Sequence, residues 1–243
     1  MIECRAPALF LSDCHLPLLA DKERNTWTKK VQLFLNTEGM KCKTLFLVGD
    51  LFDFWFEWNH CIPARSFQVL TTLRNLVDAG IEIHYLAGNH DGHPGWFLKE
   101  EVGLKTTRGH VDASIDGKKF HIIHGDGVAR GDRNYRILRA LVRWKHTEKL
   151  YRLLHPDLGI RFAGKVSKGS MSYFSYKDKF GVKPYLDYAF SKIDNGFDYV
   201  IMGHRHSADY VEHGKGAFVG IGNWIRKGSY GLFENGGCSL EYF

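Results

Sequence analysis

The sequence predicts an α/β fold, a sheet-containing sandwich covered by helices. Three observations carry this. Strand-like apolar runs alternate with amphipathic helices early in the chain, the late part is mostly strand, and five short polar motifs each follow directly on an apolar run. The chain has 243 residues, 44% of them hydrophobic, which supports a packed core and argues against global disorder.

The elements follow in order. Ala8 to Leu11 reads as a buried strand. Over residues 22–36, Trp27, Val31, Phe34 and Leu35 recur at helical spacing. Thr44 to Val48 is rich in β-formers and reads as the next strand. Residues 65–79 place Phe67, Leu70, Leu73, Leu76 and Val77 on one helix face, ended by Gly80. Ile81 to Ala87 is a further strand and Phe97 to Leu104 a short helix. Asp116-Gly117 signals a tight turn, so Phe120 to Ile123 closes a hairpin that ends at His124. Tyr199 to Met202 is a strand, and Ala217 to Phe243 reads as short strands broken by Gly. Residues 133–195 are helix-rich and basic, and lie between the fourth and fifth motifs. They read as a helical cap insertion within one domain spanning 1–243.

Charge and cysteine usage narrow the class. The net charge is +6, yet residues 133–168 hold ten Lys/Arg against two acids, a net +8. The basic character is therefore local and points to a specific anionic partner. Five scattered cysteines with no CxxC pair fit a reducing cytoplasm better than a disulfide framework or a zinc finger. The apolar stretch Ala6 to Leu11 is too short for a signal peptide, and no run approaches the roughly 18 apolar residues of a membrane span. A cytoplasmic protein is expected, at most peripheral on a membrane.

The chemistry lies in Asp13-Cys14-His15, Gly49-Asp50-Leu51-Phe52-Asp53, Gly88-Asn89-His90-Asp91, His124-Gly125-Asp126 and Gly203-His204-Arg205-His206. Alone, each is an ordinary turn or capping sequence. In this order, each behind an apolar run, they are hard to obtain by accident, because loops at the ends of neighbouring strands can converge. Carboxylate, amide and imidazole together suit a pair of borderline divalent metals. Two such ions sit roughly 3.5–4 Å apart and need a shared ligand, for which Asp50 is the central candidate. Asp13 and His15 are two residues apart and can serve one ion. His204 and His206 repeat that spacing and can be divided between the ions, while Asn89 and His124 suit the second. Such a pair would hold a hydroxide nucleophile and neutralise charge on phosphorus oxygens. His90 suits transition-state stabilisation or protonation of the leaving oxygen, with Asp91 orienting it. Asp53 and Asp126 suit support of the ligands. His93 and His155 stay open.

The order DxH…GDxxD…GNHD…HGD…GHxH resembles the calcineurin-like metallophosphoesterases over residues 8–225. The resemblance implies a four-layer αββα metallophosphoesterase sandwich and two divalent ions of the Mn type. It implies Asp13, His15, Asp50 and His206 around one ion, and Asp50, Asn89, His124 and His204 around the other.

A narrower resemblance is to the UDP-2,3-diacylglucosamine pyrophosphate hydrolases of lipid A synthesis. It rests on the aromatic run Phe52 to Trp58, on Asp132 and Tyr135 after His124-Gly125-Asp126, and on the basic insertion. It implies a lipid-linked nucleotide sugar as substrate, with Asp132 and Tyr135 at the glucosamine and Ser170 and Lys177 as further contacts. Better-known members carry Arg where this chain has His90. Ile137, Leu138, Leu141 and Val142, then Leu150, Leu153 and Leu154, form apolar helix faces beside arginines. These either lie on an anionic membrane surface or form an ordinary cap with its apolar face in the core. Competing readings are a phosphodiesterase of nucleotides or nucleic acid, a phosphoprotein phosphatase, and a scaffold. Intact metal ligands disfavour the scaffold, nucleic acid is the less favoured substrate, and no obligate protein partner is indicated.

Overall fold

The protein is described by a computed structural model covering residues 1–19, 21–128, 145–164, 181–224 and 227–243. Two six-stranded mixed sheets face each other. The second sheet runs Ile2–Cys4 (β1), His110–Ile115 (β6), Lys118–Ile123 (β7), Tyr199–Met202 (β8), Gly216–Ile221 (β10), Ala208–His213 (β9). The first runs Gly237–Tyr242 (β12), Ser229–Glu234 (β11), Ala8–Leu11 (β2), Thr44–Val48 (β3), Glu82–Leu86 (β4), Lys105–Thr107 (β5).

The period-two side-chain alternation of a strand explains the layering. On β2, Ala8 and Phe10 face the space between the sheets, while Leu9 and Leu11 face outward. Phe46 and Val48 of β3 point inward, Leu45 and Leu47 outward. Inside, Phe10 stacks on Phe46 and Phe120 at centroid separations of 5.1 and 5.6 Å. The outward face of the first sheet is covered by α1 (Lys22–Thr37) and α2 (Phe67–Asp78). Val31, Phe34 and Leu35 of α1 are fully buried there, each contributing roughly 1.5–3 kcal/mol by area. The second sheet is covered by the helix Lys183–Asp194, whose Ala189 and Ile193 pack on Val200, Met202 and Phe218. The order is therefore helix, sheet, sheet, helix. Lys183–Asp194 falls inside the span read as a cap, yet it packs as the outer helical layer.

Phe67 departs from its expected face. It opens α2 and is 68% exposed, and the buried stripe begins with Val69 and Leu70. The hairpin turn at Asp116-Gly117 is as expected, with both residues at positive φ (47° and 79°), the type I′ pattern. Asn235-Gly236 repeats it between β11 and β12 (52° and 79°). Strands β1, β5 and β9 carry little sequence signal because all are sheet edges with mostly half-exposed or exposed residues. Among the described residues no helix is long and apolar enough to cross a membrane.

Candidate metal centre

Parallel pairing brings the motifs together. β2, β3 and β4 are parallel neighbours, with Leu11 opposite Leu47 and Val48 opposite Leu86. In the other sheet β7 and β8 are parallel, with Ile123 opposite Met202. Each motif leaves the C-terminal end of one of these five strands, the end where α/β sheets place their ligands.

The loops are tightly held. Asp13, His15, Asp50, His204 and His206 all have left-handed φ, between 45° and 68°. Such conformations cost of order 1–3 kcal/mol each for non-glycine residues and persist where the surroundings over-determine them. Here the loop after β2 bonds that after β3, through Asp13 N to Gly49 O (3.2 Å), His15 N to Asp50 O (3.0 Å) and Leu16 N to Leu51 O (2.9 Å). A Cβ on Gly49 would run into the His124 ring, and one on Gly88 into the Asp50 carboxylate. Those two motif glycines are therefore needed so that one loop can approach the ligand of another.

Asp13, His15, Asp50 and His124 are each at most 1% exposed. His15 Nε2 and His206 Nε2 stand 3.1 Å apart, and His206 Nε2 is 3.2 Å from Asp13 Oδ1. That carboxylate oxygen is buried and accepts no hydrogen bond, whereas Oδ2 accepts from Ser12 Oγ and His204 N. On the other side, His124 Nε2 is 3.3 Å from Asp50 Oδ2 and 3.1 Å from Asn89 Oδ1. His124 Nδ1 donates to Val48 O at 2.8 Å, because a carbonyl can only accept. With Nδ1–H so engaged, Nε2 is the nitrogen that faces the carboxylates, the one a metal would take in place of a proton. Asp50 lies between the two groups, its Oδ1 accepting from His90 N at 2.8 Å. An orphaned buried carboxylate oxygen facing imidazole nitrogens fits divalent cations well.

The electrostatics agree. Burial works to raise the Asp13 carboxyl, but the His15 and His206 imidazoles beside it win and hold it well below the usual range. Asp50 is likewise depressed, with burial outweighed mainly by the charges of His124 and His90. Burial pulls His124 down, yet Asp50 beside it pushes the imidazole up to about 10. His204 falls to about 3 through burial and the His124 charge. Without an ion, the site thus stores protons on His124 where a cation would sit.

The supporting residues differ from expectation at Asp91. Its buried carboxylate accepts from the backbone N–H groups of Gly88 (2.8 Å), Asp50 (3.0 Å) and Leu51 (2.8 Å), and from Tyr85 Oη (2.5 Å). Asp91 therefore pins the Asp50 loop. His90 is oriented instead by Asp53, whose carbonyl lies 3.0 Å from His90 Nδ1. The Asp53 carboxylate is clamped by Arg24 at 2.5 and 2.7 Å, and Arg24 also donates to His15 O at 2.6 Å. Asp126 is buried, and its charge helps raise His124. Arg24, Tyr85, Ser12 and Glu57 were not found by sequence reading. Glu57 is buried and accepts from Trp55 Nε1, Gly95 N and Phe97 N, at 3.0, 2.9 and 2.7 Å. Only an acid within an aromatic run hinted at it.

Asp132, Tyr135, Ser170 and Lys177 lie outside the described residues. The described part of the insertion begins with the helix Lys145–Arg152, followed by a helix at 156–164. Tyr151 packs on Phe54, Phe56 and Trp58, and Trp58 Nε1 donates to Leu154 O at 3.1 Å. Arg152 donates to Asn59 Oδ1 at 3.0 Å and lies over the Phe56 ring. The aromatic run after Asp53 is thus the surface that seats the insertion.

Comparison with known proteins decides the family. The family model described as calcineurin-like phosphoesterase matches residues 6–208. The chain belongs to this family. It is a metal-dependent hydrolase with the metallophosphoesterase fold. Among curated proteins it is similar to "UDP-2,3-diacylglucosamine hydrolase" of Porphyromonas gingivalis, with 28% identity over 98% of this chain and 97% of that protein. Proteins of the same name from Neisseria meningitidis serogroup B and Vibrio vulnificus are 26% and 24% identical, covering 90% and 96% of each chain.

Proposed function

We propose that this phosphoesterase hydrolyses the pyrophosphate bond of UDP-2,3-diacylglucosamine, giving UMP and 2,3-diacylglucosamine 1-phosphate. The observation that carries the substrate is the extent of the likeness. Two relatives of that name align over 98% and 90% of this chain, so the likeness is not confined to the metal loops.

The proposed centre holds two ions, manganese the proposed kind. Asp13, His15, Asp50 and His206 would hold one, and Asp50, Asn89, His124 and His204 the other. Bound there, the ions would supply Lewis acidity that activates water and neutralises charge on the phosphorus oxygens. The residues supply the rest. Val48 O fixes the His124 tautomer, Asp91 and the Gly88 turn fix Asp50, and the Arg24–Asp53 clamp fixes His15 and His90. His90, set against His15 at a centroid distance of 4.8 Å, would stabilise the transition state or protonate the leaving oxygen. Asp132, Tyr135, Ser170 and Lys177 are proposed substrate contacts.

The insertion is proposed as the lipid-facing part. Leu150, Leu153, Leu158 and Phe162 are exposed beside Lys149, Arg152 and Arg161. A groove of ≈ 550 Å³ runs between Leu19, Leu158, Ile160 and Arg161. A smaller cavity, also lined by Leu19, reaches Arg24 and Asp53. Exposed leucines beside basic side chains suit acyl chains and an anionic membrane surface, which supports the proposed location on the cytoplasmic face of the inner membrane.

The test is hydrolysis of UDP-2,3-diacylglucosamine by metal-stripped protein, with and without added Mn, with products identified by mass. Mn-dependent release of UMP and the diacyl sugar phosphate is expected. Cleavage of simple nucleotide phosphodiesters without turnover of this lipid would discard the substrate and favour the nucleotide reading.

A further inference from the structure

Away from the metal loops, a second cluster joins thiol, imidazole and carboxylate. Cys4 ends β1, an edge strand of the second sheet, while Glu82 and His84 lie on β4 of the first. Their ligand atoms all lie within 4.8 Å of one another. Cys4 Sγ is 3.7 Å from His84 Nε2, and that nitrogen is 2.7 Å from Glu82 Oε1.

The spacing is that of a coordination site. Two donors bound tetrahedrally to zinc at about 2.0–2.3 Å stand roughly 3.5 Å apart. Thiol and imidazole already stand near that distance. The carboxylate would have to retreat by about half an ångström, which its half-exposed position allows. Its other partner, Lys105 Nζ at 2.5 Å, is a surface ammonium that can turn to the second carboxylate oxygen. The His84 ring is held by stacking on Phe46, at 5.0 Å and 17°. Burial pushes the Cys4 thiol up to about 12 and draws His84 down. With no cation the cluster is therefore a neutral thiol beside a neutral imidazole, two soft donors in a shared pocket. Nothing in the proposed hydrolysis uses them.

We propose that Cys4, His84 and Glu82 form a separate site for a zinc-type divalent cation, with solvent as fourth ligand. Binding forms a metal–sulfur bond and breaks the S–H bond, the proton leaving to solvent. No oxidant or reductant takes part. Because β1 is three residues long and, among the described residues, pairs only with β6, the ion would fasten this strand of one sheet to β4 of the other. This stands independently of the two-ion centre.

The experiment is a cobalt(II) titration of the full-length metal-free protein, read in the near ultraviolet. Thiolate bound to cobalt absorbs strongly there, whereas oxygen and nitrogen donors do not. The metal-loop thiol, Cys14, packs among the buried apolar side chains between the first sheet and its helices, so the band is expected from Cys4, and Cys14→Ser is the control. One thiolate–cobalt band per chain is expected, and added zinc should abolish it. The band should vanish in Cys4→Ser and in His84→Gln, weaken in Glu82→Gln, and persist in Cys14→Ser, whose thiol lies between two loop ligands. No band in the native protein, or a band surviving Cys4→Ser, would overturn the proposal.

Discussion

The metal loops and the insertion are built on opposite plans. Around Asp13 and Asp50 the side chains are buried, the backbone is strained, and the loop that carries Asp13 and His15 is hydrogen-bonded to the loop that carries Asp50. In the described part of the insertion, Leu153 is 83% exposed. The insertion's segment 145–164 sets Tyr151, Arg152 and the Leu154 carbonyl against the aromatic run. The first plan suits a reaction centre, where positions must not drift. The second suits a surface that meets a variable, greasy partner. On the proposed function, chemistry belongs to the loops and substrate choice to the insertion, and mutations should sort along that line.

The sharpest contrast is expected at Asp50. Asp50→Asn should abolish turnover while leaving the fold intact, checked by metal analysis, activity and circular dichroism on one sample. Near-native turnover would break the shared-ligand reading. His90→Ala comes next, with kcat lowered by about 10²–10⁴-fold and metal content unchanged. A parallel loss of metal would instead make His90 a ligand. Asp91→Ala should act on stability, because it strands buried N–H groups of Gly88, Asp50 and Leu51 at about 1–3 kcal/mol each. Denaturant unfolding reads that loss.

pH gives a test with a definite sign. His124 in the metal-free protein is raised from 6.5 to about 10. Its contribution to stability is then fully present below pH 6.5 and lost as pH rises through about 10. Metal binding must expel the same proton, so metal affinity should rise over that range, by roughly tenfold per pH unit for one proton. Calorimetric titrations in buffers of different ionisation enthalpy would show the release. Affinity that is flat with pH would contradict the protonation given to His124. The smallest effect is expected in the insertion. Leu153→Ser with Leu158→Ser should change stability by no more than about 0.5 kcal/mol. It should still lower co-sedimentation with anionic vesicles and turnover of lipid substrate, leaving hydrolysis of a soluble diester unchanged.

Much of the centre was legible in the sequence because its ligands sit beside one another in short motifs behind apolar runs. The helices α1 and α2 and the strands β2, β3, β4 and β8 were legible for the same reason, since their periodicity is local. What was not legible acts over distance. Arg24 reaches Asp53 across 29 residues and Glu57 reaches Phe97 across 40, and no spacing rule links such pairs. Asp91 follows His90 directly, yet its side chain serves the Asp50 loop, because adjacent residues on a turn need not point together. Phe67 matched the helical stripe but opens the helix, ahead of the turn that buries it.

The most direct test of the two-ion centre is a crystal structure of the Mn-loaded protein with anomalous scattering measured at the Mn edge. Two anomalous peaks flanking Asp50 are predicted, one against Asp13, His15 and His206, the other against Asn89, His124 and His204. A single peak, or manganese away from Asp50, would contradict the account.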